Sequence, residues 1–435
     1  MDPTLYGAVL AVLMLALLAT GLWVAASLAS VAIIGMLWFS SAPIHLVMPS
    51  TIWGSVSGWT LTALPLFVWM GEILFRTRLA SDLFNGLAPW MNMLPGRLVH
   101  VNVVGCGIFS AVSGSSAATA ATVGSMSLPE LERRGYDSRL SIGSIAASGT
   151  LGLLIPPSII LIVYGVSANV SIARLFLAGV LPGLMIIALF MTYIVIWSWF
   201  NPKKMPPPEP PMPLWEKLKR LRLLIPVIIL IAAVIGSIYG GIATATEAAT
   251  LGVVGSLVIA ALSGSLTWDS FKASVMGATK TSCMIGFIIA AAAFLSVAMG
   301  YAGIPRGLAQ WIGDMNLSAN QLIFALLILY LILGCFLDGI SMIVLTTAII
   351  MPMVESVGID LIWFGIFVVL VVEMAQITPP VGFNLFVLQG LTGRNIAYVS
   401  RSVIPFFLLM CLGTLLITMF PEIATWLPKT MFTPP

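Results

Sequence analysis

Charge is what this chain is short of. Only 8% of its 435 residues are Asp, Glu, Lys or Arg, 60% are hydrophobic, and the mean hydropathy is +1.09. A soluble domain of this length could not hide so much apolar surface, so most of it must face lipid or other membrane helices. Histidine is scarcer still: His45 and His100 stand alone, and no proton relay or metal triad is suggested by them. The four cysteines, Cys106, Cys283, Cys335 and Cys411, lack CxxC spacing. That speaks against a disulfide or metal framework and for small apolar packing. The net charge is only +3 and the basic residues form no single patch, so no nucleic-acid surface is expected. The N-terminus has no basic n-region and no convincing cleavage site; its first apolar run is expected to be retained as a transmembrane helix.

What the chain does have is a repeat of broken apolar segments. Pro156-Pro157 and Pro379-Pro380 each interrupt a long apolar run, and each pair follows another proline, Pro129 or Pro352, by 27 residues. The halves therefore repeat with an offset of 223, from Pro156 to Pro379. Ahead of each pair lies a second glycine-broken stretch, Gly105-Cys106 through Ser116 and Gly334-Cys335 through Ser341. Two broken helices per half, repeated, is the mark of a secondary transporter with a site at the bilayer midplane.

The expected fold is an all-α polytopic membrane protein with an inverted repeat, two re-entrant helical hairpins and two Pro-Pro-broken helices. The boundaries read as follows: helices of the first repeat at 1–78, with two spans hinged near Gly21, a polar aromatic loop at 41–59 and a span at 60–75; an interfacial arm at 79–96; hairpin 1 and its broken helix at 97–168; a span at 169–200; a linker at 201–222; helices of the second repeat at 223–302; a second arm at 303–319, with Pro305 and Trp311; hairpin 2 and its broken helix at 320–391; and a last span with the C-terminus at 392–435. The linker holds a proline run, Pro206 to Pro213, that cannot be helical. It also holds Lys203, Lys204, Lys217, Lys219, Arg220 and Arg222, six of the nineteen basic residues, and the positive-inside rule makes it cytoplasmic. Hairpin 1, flanked by Arg97, Arg133, Arg134 and Arg139, then enters from the cytoplasm. Hairpin 2, flanked by Asp314, Glu355 and Asp360, enters from the opposite face.

Unwound backbone in a bilayer leaves carbonyl and N–H groups without partners, at several kcal/mol each. It persists only inside protein or along an aqueous cavity, where carbonyls can hold a hard cation and half-helix N-termini an anion. The first hairpin tip offers Ser113, Gly114, Ser115, Ser116 and Thr119, facing a break at Ser148, Gly149, Thr150 and Gly152. The second tip offers Asp338, Gly339, Ser341, Thr346 and Thr347, facing Gln376, Thr378, Gly382 and Asn384. Such hydroxyl and carbonyl density suits sodium better than a transition metal. Asp338, as an intramembrane acid, is a candidate cation partner.

Simpler readings compete. Small residues also pack at helix crossings. Thr244 and Glu247 have capping-box spacing, which suits Glu247 better than a buried functional role. Glu72 pairs with Arg76 at i,i+4, and Glu373 lies in an apolar run three residues before Gln376, placed to orient the second break. Trp53, Trp59, Trp90, Trp215, Trp268 and Trp311 read as membrane-interface markers rather than a ligand cage.

Five stretches carry a resemblance: GIFSAVSGSSAATAATVGSMSLPEL (107–131), GTLGLLIPPSIILIVYG (149–165), GGIATATEAATLGV (240–253), GCFLDGISMIVLTTAIIMP (334–352) and ITPPVGFNLFV (377–387). Over nearly the whole chain it resembles the large membrane subunit of tripartite ATP-independent periplasmic (TRAP) transporters, of the ion-transporter superfamily. The resemblance implies sodium-coupled uptake of a small carboxylate (a C4-dicarboxylate, sialic acid or similar) across the bacterial inner membrane, by an elevator motion of the hairpin domain along a scaffold. It implies a small membrane subunit and a periplasmic substrate-binding protein as partners, and no cofactor beyond Na+ as coupling ion. Carried over, it puts sodium at Ser113, Ser115, Gly149 and Gly152, and at Asp338, Ser341, Thr378 and Gly382. It puts substrate near Ser116, Pro157, Thr346 and Asn384. The chain begins at its first span, as in the form whose small subunit is a separate polypeptide.

Other classes are distinguishable. A stand-alone sodium–carboxylate symporter would need no partners. A channel is disfavoured because no span shows a charged ring or filter repeat. A membrane enzyme is disfavoured because no acid pair, metal cluster or nucleophile–base set is present.

Overall fold

The computed structural model describes residues 3–207, 212–304, 307, 318–334, 337–379 and 382–432. The second arm (303–319), with Pro305 and Trp311, falls almost wholly outside these residues, as do Pro380, Cys335 and part of the linker's proline run.

Every regular element among the described residues is helical. The first group is α1 (Pro3–Ala19), α2 (Val24–Phe39), α3 (Ile44–Val56), α4 (Ala63–Phe75) and α5 (Leu79–Met91). Next come α6 (Val99–Ser113), α7 (Ser116–Arg133), α8 (Ser138–Thr150), α9 (Ile159–Ser167) and α10 (Ile172–Phe200). The second half holds α11 (Leu214–Leu221), α12 (Ile225–Tyr239), α13 (Ala245–Leu262), α14 (Trp268–Tyr301), α15 (Ala319–Leu333) and α16 (Gly339–Ser356). It ends with α17 (Leu361–Gln376), α18 (Phe383–Thr392), α19 (Ile396–Met419) and α20 (Glu422–Phe432). Among the described residues five helices are long and apolar enough to cross a membrane, or seven if each of two bent pairs counts as one span.

Most expected breaks fall where glycine, proline and serine stand. Gly21 separates α1 from α2 at φ +79°, a left-handed turn that suits a residue without Cβ. Hairpin 1 turns at Gly114, φ +59°, and α6 and α7 pack against each other across that turn. The first Pro-Pro break lies between α8 and α9, with a single 3-10 turn at Leu151–Leu153. Thr244 and Glu247 form the expected capping box at the start of α13. Arg76 donates to the Glu72 carboxylate as an i,i+4 pair.

Three expectations need correction. Residues 41–59 are not a loop: α3 occupies Ile44–Val56. Its serines do not break it, because Ser50 and Ser55 donate back to the carbonyls of Leu46 (2.8 Å) and Ile52 (2.9 Å). The basic end of the 201–222 linker is helical too, since α11 continues through a 3-10 turn at Arg222–Leu224 into α12. A further helix, α20, follows the last span and packs on α10 and α17.

The helices pack as two groups. α14 lies along α2, α3 and α4, and α13 along α4 and α12. Separately, α8 packs on α6, α7 and α19, α18 packs on α7, and α17 on α10, α15, α16 and α19. The span expected at 169–200 as a scaffold or connecting helix is α10, which packs on α6, α8, α9, α17 and α19. Contacts between the groups run chiefly through α4 to α6 and α9, and through α14 to α16. The arm helix α5 buries Leu79, Leu83, Phe84 and Leu87 and touches both α4 and α6.

The two halves run in opposite directions. Lys204 of the linker lies 3.9 Å from Asp137, and Arg97 donates to the Pro206 carbonyl, so the base of hairpin 1 meets the linker. Arg394, just past α18, reaches Glu132 at 3.8 Å at that same end. At the far end the Tyr164 hydroxyl donates to the Leu361 carbonyl at 2.7 Å.

Candidate functional site

Ser113, Gly114 and Ser115 fold onto themselves. The hydroxyls of Ser113 and Thr119 lie 2.7 Å apart, and Thr119 donates to the Ser115 carbonyl at 2.8 Å. Ser115 caps α7, its Oγ accepting from the Ala118 N–H. Facing break residues lie directly against this tip. A Cβ on Gly152 would meet the Ser115 carbonyl oxygen at 2.9 Å, and one on Gly149 would meet Ala120 at 2.7 Å. A Cβ on Gly114 would come 3.1 Å from the Pro157 carbonyl oxygen. Glycine is required here because two backbones touch. Ser113, Ser115, Gly149 and Gly152 are therefore one cluster.

In the second half, Asp338 caps α16. One carboxylate oxygen accepts from the N–H groups of Ile340 (3.1 Å) and Ser341 (3.3 Å), and the other from the Ser341 hydroxyl. The cap signal, Asp338 followed by Ser341 three residues on, is local to the sequence. Thr378 donates to the Met374 carbonyl at 2.6 Å, and Gly382 N–H donates to the Thr378 carbonyl at 3.0 Å. A Cβ on Gly339 would meet Gln376 at 3.2 Å and Ile160 at 2.9 Å. The second tip thus rests on the second break and on α9 of the first half.

Both tips open on one cavity of about 700 Å³. Its wall includes Ser113–Ala118 from hairpin 1, Asp338–Ile340 from hairpin 2, Gln376 from the second break, and Glu72 and Thr281 from the other helix group. Among the described residues no lysine or arginine lines it. The first turns of α7 and α16 both face it with the positive ends of their dipoles, where Ser115 Oγ takes the Ala118 N–H and the Asp338 carboxylate those of Ile340 and Ser341.

Of the substrate candidates, Ser116 lines the cavity. Asn384 is buried behind it, accepting from Ser116 Oγ at 2.9 Å and donating to the Ala146 carbonyl at 3.2 Å. Pro157 lies behind Gly114, and Thr346 pairs with the Tyr330 hydroxyl at 2.7 Å away from the cavity wall. Sequence reasoning missed Glu72 and Thr281 as wall residues. Glu72 showed in the sequence only as the i,i+4 partner of Arg76, and Thr281 carries no local signal.

A second cavity, about 680 Å³, lies at the end of the bundle where α10 begins, away from the linker. Thr51, Ser55, Thr60, Ser167, Asn169, Ser171, Ser296 and Thr347 place polar groups in an otherwise apolar wall, and none of the described residues lining it is charged. α9 supplies Ile159 and Ile160 to the first cavity and Gly165–Ser167 to the second, and α16 likewise touches both. These two helices form the partition.

The chain's similarity to known proteins agrees with this geometry. Residues 11–423 match the model of the tripartite ATP-independent periplasmic transporter, DctM component. The C4-dicarboxylate TRAP transporter large permease protein DctM of Vibrio cholerae is 31% identical, over 98% of each chain. The ectoine TRAP transporter large permease protein TeaC of Halomonas elongata is 31% identical, over 86% of this chain and 87% of that one. The isethionate TRAP transporter permease protein DctMQ of Oleidesulfovibrio alaskensis is 33% identical over 85% of this chain, which spans 58% of that longer protein. Among solved structures, the Alcanivorax borkumensis YdaH transporter superposes with a TM-score of 0.63 over 99% of each chain at 14% identity, a likeness of fold. The chain is a multi-pass membrane permease component rather than an enzyme, and it belongs to the DctM family of tripartite ATP-independent periplasmic transporters.

Proposed function

We propose that this chain carries a small carboxylate across the inner membrane, coupled to sodium, with the two hairpins and broken helices moving as one body along the other helices. A C4-dicarboxylate, sialic acid or a similar anion is the substrate class. It is delivered by a periplasmic binding protein, and a small membrane subunit completes the permease. The relatives named for C4-dicarboxylate, isethionate and ectoine support a small polar substrate.

The observation that carries the reading is the convergence of two helix N-termini, α7 and α16, on one cavity that no basic side chain lines among the described residues. The positive ends of two helix dipoles suit an anion, although the α16 end already holds the Asp338 carboxylate on its Ile340 and Ser341 N–H groups. Sodium supplies the missing positive charge, held at Ser113, Ser115, Gly149 and Gly152 and at Asp338, Ser341, Thr378 and Gly382. The two cavities on opposite sides of α9 and α16 support alternating exposure of that site. Loop charge makes the linker cytoplasmic and the hairpin-tip cavity inward-open.

Reconstitution into liposomes with both partners tests this. Labelled C4-dicarboxylate is expected to accumulate under an inward sodium gradient and only with the binding protein present. Accumulation unaffected by collapsing that gradient refutes the coupling. Accumulation by the chain alone makes it a stand-alone symporter.

A further inference from the structure

Glu373 is the only acidic side chain among the described residues that is fully buried. It lies in α17, where every residue from Trp363 to Ala375 is buried. Neither of its carboxyl oxygens has a hydrogen-bond partner among the described residues. The Leu154 main chain, in the first break, lies against the carboxyl, but its N–H is already donated to the Leu151 carbonyl at 3.1 Å.

The helices packed around α17 carry other ionisable groups: Tyr164 on α9, Arg174 and Tyr193 on α10, Tyr330 on α15, Glu355 on α16, Tyr398, Arg401 and Cys411 on α19, and Glu422 and Lys429 on α20. None of them hydrogen bonds to Glu373. Tyr164 is committed to the Leu361 carbonyl and Tyr330 to Thr346, each at 2.7 Å. A carboxylate ion there would lose its hydration with nothing to replace it, at a cost of several kcal/mol. A neutral acid avoids most of that cost, because it buries a dipole instead of a charge.

We propose that Glu373 is a proton-binding site, its carboxyl held as the neutral acid between the two broken segments. The proton comes from water and returns to it, and no other bond forms or breaks. Glu373 and Gln376 lie on one face of α17, and Gln376 and Leu153 line the cavity, so the acid sits just behind the cavity wall. Any motion that parts the Leu151–Leu153 turn from α17 wets the carboxyl and releases the proton.

The inference is independent of the transport reading and is tested on the purified full chain. Infrared spectroscopy of the wild type is expected to show a neutral-carboxyl stretch that persists in alkaline buffer, where the other acids are ionised. Glu373→Gln is expected to remove that band. A wild-type spectrum without the band, or a band that survives in E373Q, overturns the proposal. So does a band that vanishes when sodium chloride replaces potassium chloride, because the carboxylate then carries a metal cation. If E373Q does not fold, Glu373→Asp decides the matter: with glutamate labelled at its carboxyl carbon the wild-type band is expected to shift, and a shifted band that remains in E373D overturns the proposal.

Discussion

The Ser116 hydroxyl donates to Oδ1 of Asn384 at 2.9 Å, across 268 residues of sequence. Asn384 turns its amide to the Ala146 carbonyl at 3.2 Å. One buried side chain thereby ties the start of α7, the start of α18 and the middle of α8. The bridge joins the two repeats at the tip of hairpin 1.

Asn384→Ala leaves the Ser116 hydroxyl and the Ala146 carbonyl without this partner. Unsatisfied buried groups cost about 1–3 kcal/mol. The expected outcome is a lower thermal midpoint and slower uptake, read by thermal denaturation in detergent and by liposome transport. An unchanged midpoint would mean the bridge contributes nothing.

Gly152→Ala forces a methyl to within 2.9 Å of the Ser115 carbonyl oxygen and carbon. The tip and the break must then separate, and the oxygen cluster between them opens. Apparent sodium affinity is expected to fall about tenfold, equivalent to about 1.4 kcal/mol. The sodium dependence of thermal stabilisation measures it. Wild-type dependence would remove this cluster from the sodium site.

Asp338 separates two roles by substitution. Asn keeps N-cap capacity while Ala loses it, at about 1 kcal/mol of stability. D338N is expected to fold as the wild type does but to lose part of its sodium response. D338A is expected to lose both. A wild-type sodium response in D338N would leave Asp338 as a cap alone.

Two glycines distinguish packing from motion. A Cβ on Gly143 would sit 2.2 Å from the Ser402 carbonyl oxygen, inside the hairpin group. One on Gly71 would sit 2.9 Å from the Ser113 carbonyl oxygen, between the two groups. Overpacking typically costs about 1–3 kcal/mol, so G143A is expected to lower stability by that order. G71A is expected to slow uptake more than it lowers the thermal midpoint. Equal effects on both measurements for both variants would argue against a sliding boundary at α4.

Helix ends were legible because their causes are local. Gly114, the Pro156-Pro157 pair and the Thr244–Glu247 box act through residues within a turn or two of themselves. The same holds for the Glu72–Arg76 pair. Residues 41–59 misled because serine, proline and tryptophan resemble a loop in composition, whereas the serine hydroxyls bond back to their own helix. The basic helix α11 was hidden by the proline run before it.

By itself the sequence determined a membrane-embedded chain with two repeated pairs of interrupted helices and the polar residues that stand at each interruption. Backbone chemistry fixes those things residue by residue. Tertiary packing alone decided that Ser116 would meet Asn384, that Glu72 and Thr281 would wall the cavity, and that Glu373 would be sealed behind it. Contacts between distant segments depend on which helix faces interlock, and a periodic apolar pattern that is buried all round names no face.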